Sequence, residues 1–165
     1  VEPDLKTEDD KFSPVTVSLL EKNIVFDFAS EYALKHDKIA AADQFKLTDA
    51  DFADFLTFIA GKDFDYNTKT EEAYQSFIKA AEKEDYYDGL KTDLDALKSK
   101  MQHDKNQDLQ KHKSEIIKVI TQEIASRYYY QSGRVQASLA DDDNVNRAIT
   151  LLNIPEEYKK LLKVN

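Results

Sequence analysis

Residues 86–131, YYDGLKTDLDALKSKMQHDKNQDLQKHKSEIIKVITQEIASRYYYQ, decide the fold. The stretch holds a single Gly and no Pro, the two residues most costly to a helix interior. Leu90, Leu94, Leu97 and Met101 recur at steps of three and four, which puts them on one helix face. Leu109, Ile116, Ile120, Ile124 and Tyr128 form a second such stripe. The polar run His103 to Asp108 between the stripes is expected to turn the chain, so the segment predicts a long helical hairpin. Residues 109–130, if helical throughout, make a rod about 33 Å long at ~1.5 Å per residue.

The same periodicity extends in both directions. Toward the N-terminus, Ser13-Pro14 reads as an N-cap followed by Pro at the first helical position. Val17, Leu20, Ile24, Phe28 and Tyr32 then predict one helix ending near His36 to Lys38. Thr48 is placed to cap a second helix, with Phe52, Phe55, Leu56 and Ile59 inward and Gly61 at the C′ position. Thr70 is read as the cap of a third, carrying Ala73, Phe77, Ile78 and Ala81. Toward the C-terminus, Gly133 is expected to interrupt the rod. Residues 143–153 predict a short helix with Val145, Ala148, Ile149 and Leu152, and Pro155 opens a last one with Tyr158, Leu161 and Leu162. No strand-period segment of useful length and no long repeat is present. The class is all-α, an irregular helical bundle with a long helical hairpin in its second half. Residues 1–12 read as an extended linker, and 13–165 as one helical domain.

Composition agrees with that class and narrows function. The chain has 165 residues, enough for one real core. It has only three Gly and three Pro, so turn-makers are scarce. The net charge of −9 repels phosphate backbones and anionic lipid surfaces, so nucleic acid is not an expected partner. No apolar run is long enough to insert in a bilayer. No basic start with an apolar core marks a signal peptide, and the first residue is Val1 rather than Met, which suggests a processed chain or an excised piece. Cysteine is absent, which removes disulfides, thiolate metal sites and thiol catalysis.

Each catalytic or metal-binding motif fails at a named position. Asp63-x-Asp65-x-Asn67 begins like an EF-hand loop, but Thr68 stands where the turn needs Gly and Tyr74 where a bidentate Glu belongs. Ser76-x-x-Lys79 has serine–lysine nucleophile spacing without the partner motifs that accompany it, and Ser114 with Lys118 fares no better. His103 and His112 lie nine apart and so do not share a zinc-binding helix face, and His36 sits in polar surroundings. Asp141-Asp142-Asp143 reads as a helix start, with Asp142 or Asp143 as cap. No catalytic, cofactor-binding or metal-ligating residue is assigned. The least ordinary segment is Arg127-Tyr128-Tyr129-Tyr130. Three consecutive tyrosines on a helix point three ways and cannot all face one core. Glu123 is placed to pair with Arg127. The four residues Arg127, Tyr128, Tyr129 and Tyr130 are the candidate inter-domain or partner contact, since Tyr and Arg suit such surfaces.

Longer strings carry a family likeness. Residues 127–134, RYYYQSGR, followed by Ala137-Ser138-Leu139 and by Ala148-Ile149-x-Leu151-Leu152, resemble the C-terminal end of carboxy-terminal-processing (tail-specific, S41-type) serine peptidases of Bacteroidetes. Phe26-Asp27-Phe28-Ala29-x-x-Tyr32, residues 45–52 and residues 62–66 are similar to earlier segments of that family, and Val1 to Leu5 to the stretch that closes its protease core. The resemblance implies a parent enzyme with a Ser nucleophile and a Lys base on a core accompanied by a PDZ domain, upstream of Val1. None of the family's catalytic residues maps onto this sequence. It further implies that the partners are the protease and PDZ domains of the same polypeptide and the parent's protein substrates, and that the location is the periplasm or cell envelope. An independent helical adaptor and a small enzyme or metal protein remain the competing readings of the residues alone.

Overall fold

Ser13 starts the helical body and is tied at once to Glu115, 102 positions further along the chain. Its backbone N–H and hydroxyl both donate to Glu115 Oε1, at 2.7 and 3.1 Å. The computed structural model describes residues 11–62, 64, 66–140 and 142–162, and for 103–106 the backbone alone. The expected linker 1–12 therefore lies almost wholly outside the described residues, as do Asp63, Asp65 and Asp141. The described chain is helical without strands: α1 (Pro14–Glu21), α2 (Ile24–Lys35), α3 (Asp49–Ala60), α4 (Lys69–Lys83), α5 (Tyr87–Lys111), α6 (Lys113–Ala140), α7 (Asp143–Leu152) and α8 (Pro155–Leu162). The all-α class read from the sequence holds.

Local chemistry sets the ends. Ser13 and Pro14 open α1 as cap and first helical residue. Thr48 caps α3 reciprocally with Asp51: Thr48 Oγ1 accepts from the Asp51 N–H at 3.2 Å, and Asp51 Oδ2 accepts from the Thr48 N–H at 2.8 Å. The helix expected to be capped by Thr70 is α4, and its cap is Thr68. Thr68 has Glu71 three residues on and closes a second capping box, whereas Thr70 has Ala73 there and nothing to reciprocate with. Asp142 caps α7, accepting from the Val145 N–H at 3.0 Å. Gly61 ends α3 at φ −80°, so the left-handed conformation expected of a C′ glycine is not used.

Three further departures from the sequence reading have physical causes. The predicted first helix is two, because Asn23 takes φ 57° in the left-handed region that Asn tolerates. The break turns Val15 and Leu19 inward with Ile24, Val25, Phe28 and Ala29, and leaves Val17 and Leu20 partly exposed. In α4 the buried residues are Tyr74 and Ala81, while Phe77 faces solvent. Tyr74 Oη reaches the Leu94 carbonyl of α5 at 3.0 Å. The corner between the two long helices falls at His112 (φ −102°, ψ 20°) rather than within 103–108, whose residues continue α5. One turn before the corner, the Asp108 carboxylate accepts from the Oη of the buried Tyr66.

The most extensive helix packing joins α2 to α6. Val15, Leu19, Val25, Phe28, Ala29, Phe52 and Phe55 meet Ile116, Ile120 and Ile124 there in one core. Phe28 sits edge-on to Phe55, ring centroids 5.0 Å apart at 70°, a favoured aromatic geometry. At the other extreme, α7 and α8 touch each other and bury no residue.

Candidate interface around the tyrosine corner

Helix α6 does not run straight through its tyrosines. Tyr130 has φ 56° and ψ −153°, a backbone conformation that only Gly adopts freely. The two limbs of α6, 113–129 and 131–140, therefore meet at a sharp corner. The interruption foreseen at Gly133 falls three residues earlier, and Gly133 has another task. A Cβ on Gly133 would stand 2.4 Å from the Tyr129 Cβ and 2.9 Å from the Ala125 carbonyl oxygen. In a straight helix residues 125 and 133 lie about 12 Å apart at ~1.5 Å per residue. The second limb thus doubles back across the end of the first, and Gly133 is the point of closest approach. Ala137 completes the contact in a small buried cluster with Ala125 and Ala42.

A charged trio braces the reversal. Glu123 receives Arg127 Nη1 on Oε1 at 2.8 Å and Arg134 Nη2 on Oε2, so one carboxylate spans both limbs. Its side chain is only 13% exposed, against 21% for Arg127 and 43% for Arg134. Arg127 is further committed: Nε donates to Ser30 Oγ at 3.2 Å, Nη2 donates to the Phe26 carbonyl at 3.2 Å, and the guanidinium lies 4.1 Å from the Phe26 ring centre. These bonds fix α6 to α2.

Two of the tyrosines hold the connection between α2 and α3. Tyr128 Oη donates to the His36 carbonyl. Tyr129 Oη lies 3.1 Å from the Ala40 carbonyl and 3.3 Å from that of Ile39. His36 stacks on Tyr32 with ring centroids 4.0 Å apart. Burial, and then the Asp37 carboxylate, push the Tyr128 hydroxyl above its ordinary pKa. Arg127, Tyr128 and Tyr129 are thus engaged within the chain. Tyr130, 81% exposed, projects from the corner. The periodicity had shown that three successive tyrosines cannot share a core, but Gly133 and Arg134 as structural partners were missed. The spacing Glu123, Arg127, Arg134 held that signal only for a reader who knew that the helix reverses.

The other sequence candidates are placed apart. Ser76 Oγ donates to the Glu72 carbonyl at 2.8 Å, a bond to its own helix. Ser76 and Lys79 line a half-open groove of about 370 Å³ between α4 and α5 with Tyr74, Lys98 and Met101. His112 Nδ1 lies 3.5 Å from Glu115, while His36 belongs to the Tyr32 stack. Among the described residues no group of three or more His, Asp or Glu is arranged to hold a metal, and no helix is long and apolar enough to cross a membrane.

No curated protein and no solved structure matches the chain. A family model does, over residues 15–152, from the first turn of α1 to the last residue of α7: the C-terminal helical domain of probable PDZ-proteases. The match takes in the core, the charged trio and the tyrosine corner together, and the chain belongs to that family.

Proposed function

We propose that this chain is the non-catalytic C-terminal domain of a carboxy-terminal-processing serine peptidase of the S41 type, and that it supports or gates the protease and PDZ units in proteolysis within the periplasm or cell envelope. The observation that carries the proposal is the family match to a PDZ-protease helical domain over 15–152. The likeness of residues 127–139, 26–32, 45–52 and 62–66 to that peptidase class supports the finer assignment. The Ser nucleophile and Lys base belong to the protease core, and this domain contributes no reacting group.

Its contribution is a surface. Tyr130 is the candidate contact with the protease or PDZ unit, because a large aromatic side chain is held outward by a corner whose other side chains are bonded inward. An exposed aromatic ring of this size is the kind of side chain that anchors a protein contact. Arg127, Tyr128 and Tyr129 position it. The test is cleavage of an unfolded protein substrate by the full-length parent, by the same protein lacking 13–165, and by its Tyr130→Ala variant. The proposal expects loss or deregulation of cleavage in the deletion and a smaller change in the same direction in the variant. Full, unaltered activity in both would remove it.

A further inference from the structure

Tyr130 stands in a backbone region closed to side chains except under constraint. Such strain persists only while the surroundings enforce it. Here the enforcing contacts are few. Of the described residues after Tyr130, only Gly133 and Ala137 are buried. Arg134 adds its bond to Glu123, yet its Nε is enclosed without a hydrogen-bond partner among the described residues, a desolvation that the folded-back position imposes. Helices α7 and α8 follow with no buried residue to anchor them. Their apolar side chains stay open, Ile149 at 51% and Leu152 at 61%.

We infer that Tyr130 is a strained hinge, and that the second limb of α6, with α7 and α8 after it, is an arm moving between the folded-back position and an extension of α6. Relaxing Tyr130 to helical angles removes the strain, frees the Arg134 Nε to solvent and makes 113–140 one continuous helix. Refolding the arm restores the Gly133 contact, the Ala42, Ala125 and Ala137 cluster, and the second arginine on Glu123. Both positions leave the α2–α6 core intact, since Ile116, Ile120 and Ile124 precede the hinge. The hinge does not depend on which enzyme carries the domain, so it and the proposed function stand or fall separately.

Two substitutions push the equilibrium in opposite directions. Tyr130→Gly removes the strain of the folded-back position and weakens the helix of the extended one, and so closes the arm. Relief of strain alone shifts the balance by roughly 5- to 100-fold. Gly133→Ala does the reverse: its methyl group clashes with Ala125 and Tyr129 when folded back, and strengthens the helix when extended. Glu123→Gln, which unpairs Arg134 without adding bulk, opens the arm by a milder route.

The natural chain has no cysteine, so Ser114→Cys and Gln136→Cys give two clean attachment points for spin labels. In the extended arm these sites lie about 33 Å apart along one axis at ~1.5 Å per residue. In the folded-back arm they lie much closer, because Gly133 rests on Ala125. Pulsed dipolar spectroscopy on the full chain is expected to show a dominant short distance with a minor long one. The long fraction rises in Gly133→Ala and in Glu123→Gln and vanishes in Tyr130→Gly, with circular dichroism checking that each variant is folded. A single short distance, unchanged in Glu123→Gln and in whichever of the other variants folds, overturns the hinge.

Discussion

Glu123 and Arg134 are bonded across a reversal of the chain that puts a residue eleven positions later beside the carboxylate. The same carboxylate holds Arg127 one turn along its own helix, so the anion is shared by two cations in a partly buried place. An anion removed from such a site leaves two guanidiniums facing each other with reduced hydration. Glu123→Ala is therefore expected to cost about 2–4 kcal/mol, less than the upper range for fully buried pairs because Arg134 is well exposed. Urea unfolding of the variant beside the parent measures it. A change below half a kilocalorie would mean that the trio is a surface decoration.

Replacing Arg127 should cost less than removing the anion but should act at two places. Its bonds to Ser30 Oγ and the Phe26 carbonyl join α6 to α2, and hydrogen bonds from charged donors are worth about 1.5–3 kcal/mol. Arg127→Lys cannot reproduce the planar fork and is expected to lose most of that stability. Hydrogen exchange should report faster opening in the N-terminal half of α2, around Phe26 and Ser30, not merely in α6.

Stability is expected to fall at alkaline pH. Tyr32, Tyr74 and Tyr128 all have pKa values raised above the ordinary 10.0, in each case first by burial. A raised pKa means that the folded state keeps its proton where the unfolded chain has lost it. The stabilisation is complete below pH 10 and disappears as pH rises through the folded values. Tyr128→Phe removes one of the three groups and should make the decline above pH 10 shallower, while also losing the bond to the His36 carbonyl. An equally steep decline in the variant would exclude Tyr128 as a contributor.

The core itself sets the largest single cost. Phe55 is fully buried and in edge contact with Phe28. Phe55→Ala is expected to destabilise the domain by about 3–5 kcal/mol, the usual range for a large aromatic cavity. Thr68→Ala, which removes one capping box, should cost only ~1 kcal/mol. Thermal unfolding of the two variants gives the order directly.

Much of this molecule was legible because its helices announce themselves. Phe52, Phe55 and Ile59 repeat at helical spacing behind a Thr cap, and Ile116, Ile120 and Ile124 do the same in α6. The breaks were harder to read. Asn23 carries no stronger turn signal than many helical asparagines, and only tertiary packing shows why the chain rotates there. His103 to Asp108 is polar enough to be a loop, yet it contains ordinary helix-tolerant residues and the helix runs on. Tyr130 is the extreme case. Nothing in a tyrosine favours φ 56°, and the conformation is imposed by Gly133, Ala137 and Arg134 from the far side of the turn. The tyrosine cluster could be flagged from the sequence, but its division into three inward-bonded residues and one exposed ring could not.

Tyr130 is proposed as the surface through which this domain acts on a protease core. The most direct measurement is the rate at which the full-length parent cleaves an unfolded substrate before and after Tyr130→Ala, with the domain's unfolding transition recorded alongside. An altered rate with the helical domain still folded is expected. An unchanged rate in that variant, together with an unchanged rate when 13–165 is deleted, would contradict it.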